Sequence, residues 1–311
     1  MINDMKEILI TCPPMIKNID LFKKRFNELN FKITIPKMSQ TLSEEKLIKI
    51  VYKYDGWIIG DDPATEKVLK LGKQGKLKAL IKWGIGIDNI DLEACKKYEI
   101  KFSNTPDIFG DEVADIAIGY MIGLSRNTFL IDREIRKGKW VKPTGSSLKG
   151  KTVGIVGLGD IGKNIAKRSK ILGLRTIGWD PNFTNQESID EINEWPKKLN
   201  ECDFLILSCA LNQETHNIFN RNIFKKIKKG LRVINVSRGQ LINEKDLLEG
   251  LKSSLIKSVA LDVFEEEPIL LSNQLLNFEE CIFGSHNASN TLEGVLKASD
   301  KSIDLLDKFL K

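Results

Sequence analysis

Three glycines stand at Gly157, Gly159 and Gly162, in the text Val153-Gly154-Ile155-Val156-Gly157-Leu158-Gly159-Asp160-Ile161-Gly162. The spacing is G-x-G-x-x-G. The first glycine allows a tight turn, the second lets a pyrophosphate approach the backbone, and the third lets a helix pack on a strand. A helix that starts here aims unpaired N–H groups at an anion. Asp180 follows Gly162 by 18 residues. A carboxylate there can hold both ribose hydroxyls of an adenosine and repel a 2′-phosphate. The next residues, Pro181-Asn182-Phe183-Thr184, include no basic side chain, which favours NAD over NADP. A second constellation comprises Ser237-Arg238-Gly239, Asp262, Glu267 before Pro268, and His286. An arginine fork suits a planar carboxylate, and a histidine can give or take a proton near neutral pH. The other histidine, His216, lies in Gln213-Glu214-Thr215-His216-Asn217 and reads as a solvent-facing polar residue. The bland counterparts are a glycine turn with a chance acid, an acidic surface turn at Glu265-Glu266-Glu267, and a structural histidine.

These residues need strands to position them. From Lys151 onward six short apolar runs appear, at 152–156, 175–179, 204–207, 232–236, 258–261 and 281–284. Six strands in a βα series make a complete dinucleotide-binding sheet, and ligands sit at the carboxyl ends of its strands. Asp180, Arg238, Asp262 and His286 all follow such runs. The first hundred residues alternate in the same way, with strands expected over 7–11, 31–35, 56–59 and 77–81 and helices over 19–29, 43–53 and 65–71. That alternation predicts an α/β fold with a parallel sheet covered on both faces. The apolar helix expected over 111–124 is too hydrophobic for a surface helix, which suits a place between domains or in a subunit contact. An amphipathic helix is expected over 291–311.

Composition narrows the class. The chain has 311 residues, enough for two domains at about 100–200 residues each. A hydrophobic share of 41% and a charged share of 29% exclude a disordered or collagenous chain. No apolar run reaches the ~18 residues that span a bilayer, and the best candidate, 113–124, carries Asp115. The first ten residues hold Asp4 and Glu7, so no secretory signal is expected. The cysteines, Cys12, Cys95, Cys202, Cys209 and Cys281, are odd in number and form no Cys-x-x-Cys pair. A reducing cytoplasm fits them, and neither a disulfide framework nor a metal site is expected. The net charge of +6 comes from lysines spread along the chain. It lacks the concentrated stripe of a nucleic-acid binder.

At the motif residues the sequence resembles the D-isomer-specific 2-hydroxyacid dehydrogenases, over nearly the whole chain. Trp83-Gly84-Ile85-Gly86-Ile87-Asp88-Asn89-Ile90-Asp91 resembles the family's substrate loop, and Asn104-Thr105-Pro106 its crossover into the second domain. Val113-Ala114-Asp115 resembles a family Val-Ala-Glu, with Asp for Glu. Asn235-Val236-Ser237-Arg238-Gly239 is similar to the arginine motif, and Ala260 through Pro268 to the glutamate motif. Ser285-His286 is similar to the histidine motif, where the family more often has proline before the histidine.

The resemblance implies two Rossmann-like, doubly wound parallel-sheet domains with a cleft between them. The substrate domain would be discontinuous, 1–104 and 291–311, with the NAD-binding domain at 105–290 and hinges near Thr105 and Ala288. It implies NAD held by Gly157, Gly159, Asp160, Ile161, Gly162, Asp180, Cys209, Ser237 and Asp262, with Asp262 at the nicotinamide carboxamide. Arg238 would bind the substrate carboxylate and polarise the 2-oxo group. His286 would give a proton to the carbonyl oxygen as hydride arrives. Glu267 would orient His286 and favour its protonated form. Lys82, Trp83, Gly84, Ile85 and Gly86 would line the substrate, with the backbone of Ile85 and Gly86 on its carboxylate. The family also implies a homodimer formed through the cofactor domain.

The substrate stays open. The text at 104–115 and 284–291 resembles short-form phosphoglycerate dehydrogenases, and no serine-sensing domain is expected after Lys311. Members acting on phosphoglycerate often carry arginine just before the substrate loop. Lys82 takes that place here, and Gly60 stands where another arginine can occur. A lysine pairs with phosphate only as a point charge. Glyoxylate, hydroxypyruvate, 3-phosphoglycerate and sugar-derived 2-hydroxy acids all remain, as does an NADH-sensing corepressor role.

Overall fold

Short runs of Ile, Leu and Val form strands that are buried on both faces, the pattern of parallel sheets. A computed structural model describes residues 5–38, 40–183 and 187–311. Asp4 of the amino-terminal reading and Thr184 of the cofactor reading lie outside the described residues. The chain divides into two units, Met1–Ile108 with Asn290–Lys311, and Phe109–Ser289.

The first unit holds five parallel strands, β1 (Lys6–Ile10), β2 (Phe31–Thr34), β3 (Gly56–Ile59), β4 (Ala79–Lys82) and β5 (Lys101–Asn104), in the order β2-β1-β3-β4-β5. Every residue of β3 and β4 is buried. The carboxyl-terminal helix Leu292–Leu310 lies against this sheet. A Cβ on Gly56 would meet Leu306 Cδ1 at 2.6 Å, so glycine is what lets the helix approach. β5 is absent from the sequence reading because its Lys-Phe-Ser-Asn text has a single apolar residue. The helix expected over 43–53 shortens to Glu44–Leu47 and a 3-10 turn at Val51–Lys53. Branched residues at Ile48, Ile50 and Val51 crowd the preceding turn.

The first junction lies after Ile108, not after residue 104, and the second between Ser289 and Asn290. The cause at the first is Thr105, which is fully buried. Its N–H donates to the Gly84 carbonyl at 3.1 Å, and its Oγ1 accepts the Gly84 N–H at 2.8 Å. Thr105 is thereby tied to the first unit.

The second unit holds seven parallel strands in the order β12-β11-β10-β9-β6-β7-β8. They are β6 (Thr152–Val156), β7 (Arg175–Trp179), β8 (Glu191–Ile192), β9 (Phe204–Leu207), β10 (Leu231–Asn235), β11 (Ile256–Leu261) and β12 (Ile282–Phe283). Six of these match the expected runs. The seventh, β8, has two residues, too few to show a period. The register pairs Val156 with both Trp179 and Leu207, Leu207 with Asn235, Asn235 with Leu261, and Leu261 with Phe283. The strands therefore end together, and the residues that follow them meet along one edge. The helix Gly110–Arg126 buries Val113, Ala117, Tyr120 and Leu124. It is fixed to the helix Asp160–Ile171 by Arg168, which bonds Asp111 at 2.9 Å and Asp115 at 2.7 Å. Among the described residues no helix is long and apolar enough to cross a membrane.

Candidate active site

At the end of β6 the backbone of Gly157 has φ +89°, a conformation that glycine adopts without penalty. A Cβ there would lie 2.5 Å from the Cys209 backbone. At Gly162 a Cβ would fall 2.0 Å from the Gly157 carbonyl, so the helix packs on the turn only without a side chain. Gly159 differs. Nothing lies within 4 Å of a Cβ built on it, and its φ of −65° suits any residue. The fold does not demand glycine at 159, whereas a ligand lying on the backbone does. This fits a dinucleotide pyrophosphate at a helix amino terminus.

The side chain of Asp160 packs at Gly110, where a Cβ would come within 2.3 Å of Oδ1, and it accepts from Asn164 at 3.2 Å. Asp160 and Ile161 can therefore offer a ligand their N–H groups, which have no acceptor inside the helix. Asp180 follows β7. Its Oδ2 accepts the Leu158 N–H at 2.8 Å and its Oδ1 the Asn182 N–H at 2.9 Å. One carboxylate thus ties the glycine turn to the β7 end. Asp180, Phe183, Trp195, Cys209 and Thr215 help line a cavity of about 720 Å³. Among the described residues its ionisable lining residues are acids, Asp180, Glu194 and Glu214, together with Cys209. Burial pushes the Cys209 thiol up to about 12, so it serves as a packing surface and not as a nucleophile.

Ser237 and Arg238 follow β10. Ser237 Oγ donates to the Cys209 carbonyl at 2.5 Å, and Asn235 Nδ2 donates to the Arg238 carbonyl at 2.7 Å. Next to them Gly239 has no room for a side chain, since a Cβ would lie 1.9 Å from the Phe264 carbonyl carbon. The arginine loop is thereby pressed onto the segment that carries the acids. Arg238 is half-buried, and its Nη1 donates to the Ser237 carbonyl at 2.9 Å.

His286 lies in left-handed backbone, φ +53°, held by its N–H on the Asp262 carbonyl at 2.7 Å. Strained backbone of this kind persists only where neighbours fix it. Its Nδ1 lies 2.8 Å from Glu267 Oε2, and Glu267 Oε1 accepts the Phe264 N–H at 3.0 Å. Glu265 turns elsewhere, accepting the Glu244 N–H at 3.0 Å. Asp262 is buried. Its Oδ2 accepts the Ala288 N–H at 2.9 Å, and its Oδ1 accepts the Tyr120 hydroxyl at 3.2 Å. These two bonds let Asp262, which the resemblance put at the nicotinamide, brace the loop of His286.

In the first unit, β4 runs into the substrate-loop residues. Lys82 is not the displayed cation that pairing with a phosphate requires. Its side chain is 3% exposed and pairs with Asp61 Oδ1 at 2.7 Å. The indole of Trp83 donates to Ser299 Oγ at 3.1 Å, fixing the loop to the carboxyl-terminal helix. Gly84 has φ +127°, and Ile85 and Gly86 are half-exposed. Among the described residues no group of three or more His, Cys, Asp or Glu is placed to hold a metal ion.

Residues 118–288 match the family described as D-isomer specific 2-hydroxyacid dehydrogenase, NAD binding domain. The chain belongs to this dehydrogenase family. It is 34% identical over 280 residues to the D-3-phosphoglycerate dehydrogenase of Methanocaldococcus jannaschii, a match that covers 87% of this chain and 52% of that one. It is 32% identical over 278 residues to the hydroxypyruvate reductase of Thermotoga maritima, covering 88% and 89%. The chain thus spans about half the length of the first relative and most of the second. Among solved structures it is similar to a glyoxylate reductase from Paecilomyes thermophila, with a TM-score of 0.86, 26% identity, and 99% and 96% of the two chains covered.

Within this dehydrogenase chain the structure adds residues that the sequence reading passed over. Tyr120 reaches Asp262 from 142 positions away. Trp179 and Trp195 meet edge to face beside the cavity, 5.2 Å between ring centroids. Lys163 brings a cation 4.4 Å from the ring centroid of Phe183. None had a local motif to mark it.

Proposed function

We propose that this dehydrogenase interconverts a D-2-hydroxy acid and its 2-oxo acid. The observation that carries the reading is the 2.8 Å pair of His286 and Glu267, set on the same strand-end edge as the glycine turn. Bound NADH supplies a hydride to C2 of the oxo acid. The chain's own residues do the rest. The Arg238 guanidinium holds the substrate carboxylate and draws charge toward the carbonyl oxygen. With Nδ1 engaged by Glu267, Nε2 is the nitrogen from which His286 gives its proton to that oxygen. In the reverse direction the same nitrogen takes the proton back. Glu267 fixes the ring and pairs with the imidazolium. Asp180 holds the adenosine ribose, and the N–H groups of Asp160 and Ile161 hold the pyrophosphate. Ile85 and Gly86 offer the substrate two main-chain N–H groups.

The same reading takes the chain as a cytoplasmic homodimer that binds no nucleic acid. Ile122 and Phe129 support the dimer, being 37% and 43% exposed on and just after the long apolar helix. Light scattering should give twice the 35.2 kDa chain mass; a monomer at micromolar concentration would refute the dimer. The test of activity is NADH oxidation with glyoxylate, hydroxypyruvate and 3-phosphohydroxypyruvate. Turnover of at least one is expected. NADH binding without turnover of any of them would favour an NADH-sensing role instead.

A further inference from the structure

At the starts of β10 and β11, Arg232 and Ser258 are register partners, so their side chains share one face of the second sheet. Arg232 Nη2 donates to Ser146 Oγ at 3.3 Å, and the Ser146 N–H donates to the Ser125 carbonyl at 2.9 Å. The last turn of the helix Gly110–Arg126 therefore meets the sheet here. Arg232 is 7% exposed. Elsewhere Arg25, Arg168, Arg175 and Arg221 each grip two carboxylates. Arg232 has no ion pair among the described residues. Its guanidinium lies 5.4 Å from the ring centroid of Phe204, and its Nε is buried without a hydrogen bond, as is the Ser125 hydroxyl. The acid whose field reaches it is Asp203. Both oxygens of that carboxylate are taken, by Lys228 Nζ at 2.7 Å and the Thr152 N–H at 3.0 Å. Burial pushes the Arg232 guanidinium below its ordinary value. A buried cation that lacks a counter-charge is costly.

A cavity of about 450 Å³ opens at the same place, with Leu124, Lys229, Ser254, Lys257, Ser258 and Glu280 in its lining. Leu124 adjoins Ser125, and Ser258 is the register partner of Arg232. Lys229 and Lys257 are exposed and have no ion pair among the described residues. Two lysines against one glutamate leave the cavity positive, and Arg232 adds a third positive charge from beside Ser258. We infer that this cavity is an anion site for a phosphate-class oxyanion, separate from the cofactor and substrate residues. Lys229 and Lys257 give charge-assisted bonds, the hydroxyls of Ser254 and Ser258 are further donors, and the anion is the counter-charge that Arg232 lacks. Arg238 follows the other end of β10, so the site lies at the opposite end of the sheet from the His286–Glu267 pair.

The test is calorimetry with inorganic phosphate and with glycerol 3-phosphate on the NAD-loaded enzyme, whose glycine turn is already filled. Saturable binding of at least one probe is expected. Tighter binding of the ester marks a phosphorylated small molecule as the ligand, and tighter binding of phosphate marks the free ion; both support the site. Lys257→Gln should weaken phosphate about threefold and Glu280→Gln should tighten it about threefold, the scale of one exposed charge pair. Arg232→Met should weaken it about tenfold, since a half-buried charge is screened less. All three effects should shrink with added salt. Without phosphate, Arg232→Met should melt at or above the wild type, because it removes an uncompensated buried charge. With phosphate, the wild type should gain more in melting temperature than the variant. If Arg232→Met does not fold, the two surface variants decide alone. No binding of either probe, or an affinity unmoved in both Lys257→Gln and Glu280→Gln, overturns the inference. An affinity lost in Arg238→Lys instead places the phosphate among the substrate residues and overturns it as well.

Discussion

The two sheets of this chain share a parallel build and handle charge at their strand ends in opposite ways. Along the edge of the second sheet positive character is displayed: the N–H groups that open the helix Asp160–Ile171, the half-buried Arg238, and a histidine paired with Glu267. Along the edge of the first sheet Lys82 is buried and cancelled by Asp61. A buried cation left unpaired would be costly, and its carboxylate removes that cost. The Arg238 guanidinium keeps its charge whatever it meets, and its planar fork suits a carboxylate. A lysine on a strand end is thus a poor guide to anion binding until its partner is known.

The largest break in this comparison comes from the displayed charges. His286→Ala removes the proton donor and should lower the rate of oxo-acid reduction by ~10²–10⁴-fold. Arg238→Lys keeps the charge but loses the fork, and kcat/KM should fall on the order of 10²-fold. NADH binding, followed by fluorescence, should survive both. Lys82→Met removes a charge that is already cancelled, so its cost in kcat/KM should be far below that of Arg238→Lys. Near wild-type turnover in Arg238→Lys, or equal losses at Arg238 and Lys82, would erase the distinction between the two edges.

A smaller effect is expected where the second edge turns negative. Among the described residues the ionisable groups lining the cavity beside β7 are Asp180, Glu194, Glu214 and Cys209, the last a protonated thiol, so a 2′-phosphate would meet carboxylate charge there. NAD should be strongly preferred over NADP. Asp180→Ala should narrow the preference by about tenfold, the scale of one close charge pair. It also unties Leu158 from the β7 end, so NAD itself should bind less well. Equal affinity of the wild type for both cofactors, in competitive titration, would contradict this account.

The legible part of the molecule was the part encoded locally. The glycine turn was readable because its three glycines, strand and helix lie within about one βα unit. His286 and Arg238 were readable because each follows an apolar run. Glu267 was preferred over Glu265 and Glu266 only through the family pattern, and the geometry separates them. Glu267 meets His286 across 19 positions, while Glu265 turns to Glu244. The Asp61–Lys82 pair was hidden because its partners are 21 positions apart and meet only when β3 and β4 pair. β8 was hidden because two residues carry no period.

Tyr120 tests whether the displayed histidine depends on support from outside the edge. Its hydroxyl donates to Asp262 Oδ1 at 3.2 Å, and Asp262 holds the backbone of His286 and Ala288. At Gly284, between them, a Cβ would come within 2.1 Å of Asp262 Oδ1 and 2.4 Å of the Tyr120 hydroxyl. Tyr120→Phe keeps the ring and removes one donor to a buried carboxylate, a loss of about 1–2 kcal/mol in stability. Loosening the left-handed His286 should lower kcat about threefold and leave KM for the oxo acid nearly in place, because the acid is held elsewhere. Burial, and then the Asp262 charge, push the Tyr120 phenol above its ordinary value. A raised phenol stays protonated and donating, so its contribution is complete below about pH 10, the value of the unfolded side chain. It is lost only as pH climbs through the raised value of the folded state. The stability difference between wild type and Tyr120→Phe should therefore stay flat from about pH 6 to about pH 9, measured by urea unfolding, while turnover drops at every pH in that range. A drop in stability with kcat intact would make Tyr120 a packing residue, and the brace on His286 would then be the backbone bonds alone.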